Sequence, residues 1–200
     1  MTLQPNSLQR LLDELPYNRL IALIHKHAGT TTWIANTACK LVRDKKWESV
    51  HVIVKTELDK QNFINKCLDI DSFYQLDDNT LTLGFNSQIT TSLLTGSSMY
   101  YNATVFVDGI CPSNNPIWWK HLSIAAAFAK DFAFFPGKAV SELLPWWNNF
   151  IYTKLAYPIE NSKLFDKRDI TLIKNIVPKR VWEESFALNL DRYMDIFPLR

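Results

Sequence analysis

The chain has 200 residues, 47% hydrophobic and 21% charged, proportions typical of a soluble globular protein with room for one good core and at most a small appended lobe. A net charge of +2 excludes a global field that would drive it onto nucleic acid or an anionic membrane, so any DNA contact needs a local basic patch. No apolar run is long enough to span a bilayer, and the opening "MTLQPNSLQRLLDEL" lacks the basic and apolar regions of a secretory signal; a cytoplasmic protein with no membrane partner is expected. Cys39, Cys67 and Cys111 lack any metal-ligand or CxxC spacing and read as buried, reduced thiols.

Asn6 to Leu15 is predicted as a short helix, capped by Asn6 or Ser7, with a leucine stripe at Leu8, Leu11, Leu12 and Leu15 and a stop at Pro16. Leu20 to Ile24 is an apolar run of strand length, as expected for a strand covered on both faces. Thr31 to Arg43 follows as a helix turning Trp33, Ile34, Thr37, Ala38 and Leu41 toward the sheet. Val50 to Thr56 is a second buried strand, rich in β-branched residues, and Glu57 to Leu68 a helix with Phe63, Ile64 and Cys67 inward. "FYQL" and "TLTLGF", split by Asp77 to Asn79, suggest a hairpin or two short strands. Ile89 to Leu94 reads as helical or irregular. Ala103 to Gly109 is the third buried strand, His121 to Ala129 is ambiguous, and "FAFFPG" is a further strand closed by a Pro-Gly turn. The remainder alternates loops with helices at Ser141 to Asn149, Asp169 to Ile176 and Lys179 to Arg192. Buried strands alternating with helices imply an α/β layered fold with a mostly parallel sheet, in which ligands sit beyond the carboxyl ends of the strands. No repeat or low-complexity linker divides the chain, so one domain over residues 1–200 is expected.

The loop "HKHAGTTT", between the first strand and its helix, has the layout of a phosphate-binding P-loop. A working GxxxxGK[ST] loop wraps phosphate in backbone N–H groups, reaches its oxygens with a lysine and places a hydroxyl on Mg²⁺. With Gly29 as the second glycine, Ile24 fills the first glycine slot, Thr30 the lysine slot and Thr31 the hydroxyl slot. One glycine, the hydroxyl and a helix N-terminus survive, which still favours an anion. Lys26 lies in the loop and is the residue placed to supply the lost charge. "TVFVDG" adds a buried strand ending in Asp108, where a Walker B aspartate would hold Mg²⁺ through water. Its other reading is a turn residue before Gly109.

The order of these features resembles the ATPase domain of tailed-phage large terminases, the DNA-packaging motors. "LQRLLDEL" is similar to the adenine-side glutamine segment and puts Gln9 in that slot. Lys26 matches a basic residue early in the family's loop, "HVIVKTELDKQNFINK" the strand and helix after it, and "VFVDG" the Walker B strand. "NSKLFDKRDITLIKNIVPKRVWEESFALNL" resembles the segment that follows the ATPase core, with Glu184 in the family's glutamate position. The resemblance implies a three-layer P-loop NTPase-like fold of the RecA/ASCE type, with ATP held by Gln9, Lys26, Gly29, Thr30 and Thr31. Thr31 and Asp108 would hold Mg²⁺. It also implies DNA and other viral assembly proteins as partners, self-association, host cytoplasm as the location, and no nuclease domain within the chain. Thr30 and Gly109 occupy the slots of the lysine and the catalytic glutamate, so hydrolysis is expected to be weak or lost. The alternatives are a pseudo-ATPase scaffold and an unrelated α/β interaction domain binding protein or nucleic acid.

Other constellations carry less. His25 and His27 have no adjacent carboxylate or thiol for a metal and read as loop polarity, and Asp69, Asp71, Asp77 and Asp78 lack the glycine and glutamate of a calcium loop. Lys163, Lys167, Arg168, Lys174, Lys179 and Arg180 are interrupted by acids, giving a solvated face or a weak DNA-contact surface. "IWW" and "PWWNNFIY" have no interleaved basic residues and read as core rather than base-stacking platforms.

Overall fold

A computed structural model describes residues 6–45, 48–72, 74–83, 87–94, 100–111 and 115–190. An asparagine followed three residues later by glutamine opens the first helix, α1 (Ser7–Glu14). The Asn6 side chain accepts from the Gln9 N–H, and the Gln9 side chain accepts from the Asn6 N–H. Then come β1 (Arg19–Ile24), α2 (Thr30–Asp44), β2 (Ser49–Val54), α3 (Glu57–Ile70), the hairpin β3 (Gln75–Asp77) and β4 (Thr80–Leu83), and β5 (Ser87–Leu93). The second half contains β6 (Thr104–Asp108), α4 (Pro116–Phe128), β7 (Asp131–Phe135), a 3₁₀ turn (Ser141–Leu143) running into α5 (Leu144–Trp147), and β8 (Thr153–Tyr157). A second 3₁₀ turn (Ile159–Asn161), α6 (Lys167–Ile176) and α7 (Lys179–Ser185) follow.

The strands form one mixed sheet in the order β3-β4-β5-β2-β6-β7-β1-β8. All pairings from β5 to β8 are parallel and only the β3-β4-β5 edge is antiparallel. Alternation along the central strands covers both faces, the reason they read as unbroken apolar runs. Leu20, Ala22 and Ile24 of β1, Phe106 of β6 and Phe135 of β7 pack with α1, α2 and α3. Ile21, Leu23, Val105, Val107, Phe132 and Phe134 face the opposite layer with α4, α5 and Leu188 and Leu190 of the tail. Trp33 sits edge-on against Phe106 and Phe135, and its indole N–H donates to Asp13 at 2.8 Å, tying α2 to α1. The result is the three-layer, mostly parallel α/β architecture expected.

Several expectations are corrected. Residues 89–93 are neither helical nor irregular: they belong to β5, parallel to β2 and antiparallel to β4, with Ile89 and Thr91 buried on one face. Two of the strand's inward positions are the polar Ser87 and Thr91, so no apolar alternation marks it, and pairing on both sides stabilises it. Thr153–Tyr157, read as loop, is the edge strand β8 on β1. With one free edge and Tyr157 its buried residue, it lacks an apolar pattern to read. The ambiguous His121 to Ala129 run lies almost entirely in the helix α4 (Pro116–Phe128), started by the Asn115 cap and Pro116. Pro145 leaves the Ser141–Asn149 segment as a 3₁₀ turn plus one α-turn, and α7 stops at Ser185 before Leu188 turns to φ 54°; the expected end at Arg192 lies outside the described residues. Trp119, Phe132, Phe134, Trp146 and Tyr152 form the expected aromatic core, but Phe150 is 92% exposed and Trp118 is also at the surface. Cys39 and Cys67 are buried, whereas Cys111 is only half-buried.

At the amino edge of the sheet Glu48 is buried. The Thr104 hydroxyl lies 3.0 Å from its carboxylate and 3.1 Å from Asp131, and the Lys130 ammonium donates to Glu48 at 3.2 and 3.3 Å. Removing one partner of a buried pair strands the other, tempered here because Lys130 is partly solvated. Lys130→Met is expected to cost about 1–2 kcal/mol in urea unfolding, with most of the loss recovered when Glu48→Gln is added.

Candidate functional site

Because β1, β7, β6 and β2 run parallel side by side, their carboxyl ends share one edge, and the loops leaving Ile24, Phe135, Asp108 and Val54 meet there. The edge opens into a cleft of ≈ 820 Å³, lined by the His25–Thr32 segment, Asp108, Gly109 and four lysines: Lys26, Lys55, Lys66 and Lys138. A second groove of ≈ 740 Å³ continues along α3 and shares Thr31, Lys55, Lys66, Asp108 and Gly109 with the first.

Gly29 makes the corner between β1 and α2. It is the N-cap residue at φ 92°, and a Cβ there would lie 3.2 Å from the Asn6 amide nitrogen, so a side chain meets both a disfavoured backbone region and a close neighbour. The Asn6 amide also donates to the Ala28 carbonyl at 3.0 Å, fixing the loop from α1. One residue into α2, the Thr31 hydroxyl donates to Asp108 at 2.6 Å. The two residues singled out in sequence as metal candidates therefore meet across 77 positions of chain. Burial pushes the Asp108 carboxyl up to about 6; the Thr31 hydrogen bond opposes the shift and Asp59 adds to it.

Of the other candidates, Lys26, Gly29 and Thr30 line the cleft. Gln9 does not: its side chain closes the α1 cap behind Gly29 and lines a separate groove beside Trp33 and Lys40. Glu184 is also outside the cleft, buried, with its carboxylate accepting from Arg180 at 2.7 Å. His25, read as a polar loop residue, is buried. Its Nδ1 lies 2.6 Å from the Lys26 carbonyl and its ring stacks on Tyr157 and meets Phe165 edge-on. Burial lowers its pKa, against the opposing effect of the Lys26 carbonyl. Sequence reading missed Lys55, Lys66 and Lys138; lysines without a motif carry no signal until the strand order brings them together.

The donor set fits a Mg²⁺–nucleotide. A hydroxyl and a carboxylate are hard oxygen ligands, and Mg²⁺ ordinarily takes its remaining ligands from water and phosphate. Among the described residues no group of three or more His, Cys, Asp or Glu could hold a metal unaided. Among the same residues none of the four lysines forms an ion pair, and Asp108 is the one carboxylate lining the larger cleft. No described helix is long and apolar enough to cross a membrane.

Gly29→Ala should destabilise the protein by about 1–2 kcal/mol through the left-handed backbone alone, measured by urea unfolding. Asp108 makes a second forecast. A folded-state pKa raised to about 6 means the folded protein holds the proton more tightly, so stability falls as pH rises from the ordinary carboxylate range through 6. Asp108→Asn, whose amide oxygen still accepts from Thr31, should therefore be more stable than the parent by ~2 kcal/mol at pH 7.5, the gap closing toward pH 4. Equal stabilities at pH 7.5 would contradict a carboxyl pKa raised in the folded protein.

No family model and no curated protein sequence matches the chain. Solved structures do. The large-terminase ATPase domain of Thermus phage P74-26 superposes with a TM-score of 0.67 at 10% identity, covering 94% of this chain and 94% of that one. The large terminase of a thermophilic bacteriophage, solved with ATP-gamma-S, gives 0.65 at 10% identity over 93% of this chain and 53% of that chain. The large terminase of bacteriophage HK97 gives 0.56 at 10% identity over 85% of this chain and 43% of that chain. This chain spans about half the length of the two longer proteins and nearly all of the isolated ATPase domain. Its fold is that of the phage large-terminase ATPase domain, a P-loop NTPase-like sheet with helices on both faces.

Proposed function

We propose that the chain is a single terminase-like nucleotide-binding domain of phage origin, related to DNA packaging, that binds Mg²⁺–ATP and turns it over weakly or not at all by itself. The observation that carries this reading is the Thr31–Asp108 contact at the head of α2, inside a cleft lined by four lysines. The N–H groups at the start of α2 face an anion favourably, and Lys26 adds charge from the loop. Thr31 and Asp108 would hold Mg²⁺, which when bound neutralises phosphate charge and orients the terminal phosphate. The bound ATP-gamma-S of the thermophilic phage terminase makes the same ligand class a reasonable one here. DNA, viral assembly proteins and further copies of the chain are the proposed partners, in host cytoplasm.

Weak turnover follows from Gly109. It stands where a water-activating glutamate is needed, and it has φ 68°, with nothing among the described residues within 4 Å of where a Cβ would lie. Loss of general-base assistance alone costs about 10²–10⁴ in rate. The same observation favours the second reading, a pseudo-ATPase scaffold that binds nucleotide without turnover.

The test is Mg²⁺-dependent binding of labelled ATP to the purified chain, followed by turnover. Expected are saturable binding that requires Mg²⁺, binding weakened by Lys26→Ala and by Asp108→Ala, and a kcat below about 0.1 s⁻¹. Binding with no turnover at all selects the scaffold, and a folded protein that binds no nucleotide overturns both readings.

A further inference from the structure

The threonine at position 30 leaves the phosphate loop without its lysine, yet the fold brings other cations to the same edge. Val54 pairs with Asp108 across the β2–β6 register, so Lys55, the next residue, leaves the sheet beside the carboxylate. Lys66, two turns along α3, is half-buried and turned to the same place. Lys55 and Lys66 line both the main cleft and the α3 groove, at the boundary where Thr31 and Asp108 also lie, whereas Lys26 and Lys138 line the main cleft alone. Among the described residues neither Lys55 nor Lys66 is in an ion pair. Lys66 is half-buried without a counter-ion among these residues and Lys55 is exposed beside it, so an anion arriving at this edge is favourable to both.

We infer that Lys55, just past the end of β2, and Lys66 of α3 supply the terminal-phosphate charge that the loop no longer provides. This rests on the nucleotide reading above and assigns the terminal phosphate to the Thr31–Asp108 end of the cleft. Lys26, on the β1 side of Gly29, then serves the inner phosphates. The division has a consequence that a general positive field would not produce: loss of Lys55 or Lys66 weakens triphosphate binding more than diphosphate binding, while loss of Lys26 weakens both alike.

The experiment is titration of the full chain with Mg²⁺–ATP and Mg²⁺–ADP, comparing wild type with Lys55→Ala, Lys66→Ala, Lys55→Arg and Lys26→Ala, thermal unfolding confirming that each is folded. Charge-assisted contacts of this kind correspond to roughly 10–100-fold in affinity. Lys55→Ala and Lys66→Ala are expected to lose about that for ATP and less than about 3-fold for ADP, Lys55→Arg to recover most of the loss, and Lys26→Ala to reduce both ligands by similar factors. ATP binding with an ATP-to-ADP ratio unchanged in both alanine variants would overturn the assignment while leaving the nucleotide reading intact. A folded wild type that binds neither ligand would overturn the nucleotide reading and this inference with it.

Discussion

The contact between the Thr31 hydroxyl and the Asp108 carboxylate is the constraint around which the rest is arranged. It holds only if α2 begins at Thr30, if β6 ends at Asp108, and if β7 lies between β6 and β1. The intervening strand ends in Phe135, whose carbonyl accepts from the Gly109 N–H, so the Asp108 turn is tied to β7 as well. A Cβ on Gly137 would come within 3.4 Å of the Gly109 Cα, so the two turns pack closely at the strand ends. Burying a carboxylate against one hydroxyl is unfavourable, and the surrounding hydrophobic layers offset it.

The loop that presents Thr31 is held from two directions. From α1, Asn6 bonds the Ala28 carbonyl. From the tail, successive carbonyls at the end of α7 act as a bracket: Glu184 accepts from the Ala139 N–H, Ser185 from Lys26 and Phe186 from Ile159. His25 lies behind this bracket, between Tyr157 and Phe165. The segment after the sheet thus touches the loop after β1, the loop after β7 and the chain leaving β8 through backbone groups. That explains a buried Glu184 whose carboxylate takes no part in the cleft.

Charge in this cleft is one-sided. Lys26, Lys55, Lys66 and Lys138 face a single carboxylate there, a strong preference for an anionic ligand. The position after Asp108 is Gly109, which adds no side chain to the cleft.

The sequence by itself determined the central strands, the helices that cover them, Gly29 as the corner of the loop and Asp108 as the end of a buried strand. These are local patterns: apolar runs bounded by caps, turns and glycine, readable because each is stabilised by its own neighbours in the chain. The neighbourhood of the ATPase-like motifs was legible for the same reason, since Thr31 and Asp108 each sit at a strand or helix end marked in the sequence. Only the tertiary structure decided the rest. β5 and β8 exist because β2 and β1 offer edges to pair with, and neither has a strong apolar period of its own. Gln9 turns to its own helix cap because Asn6 is within reach, and His25 is buried because α7 and β8 close over it. The four lysines come from four separate loops and helices, and no spacing in the chain foretells that parallel strands will deliver them to one edge. Convergence of that kind is set by strand order, which long-range packing selects and local sequence does not encode.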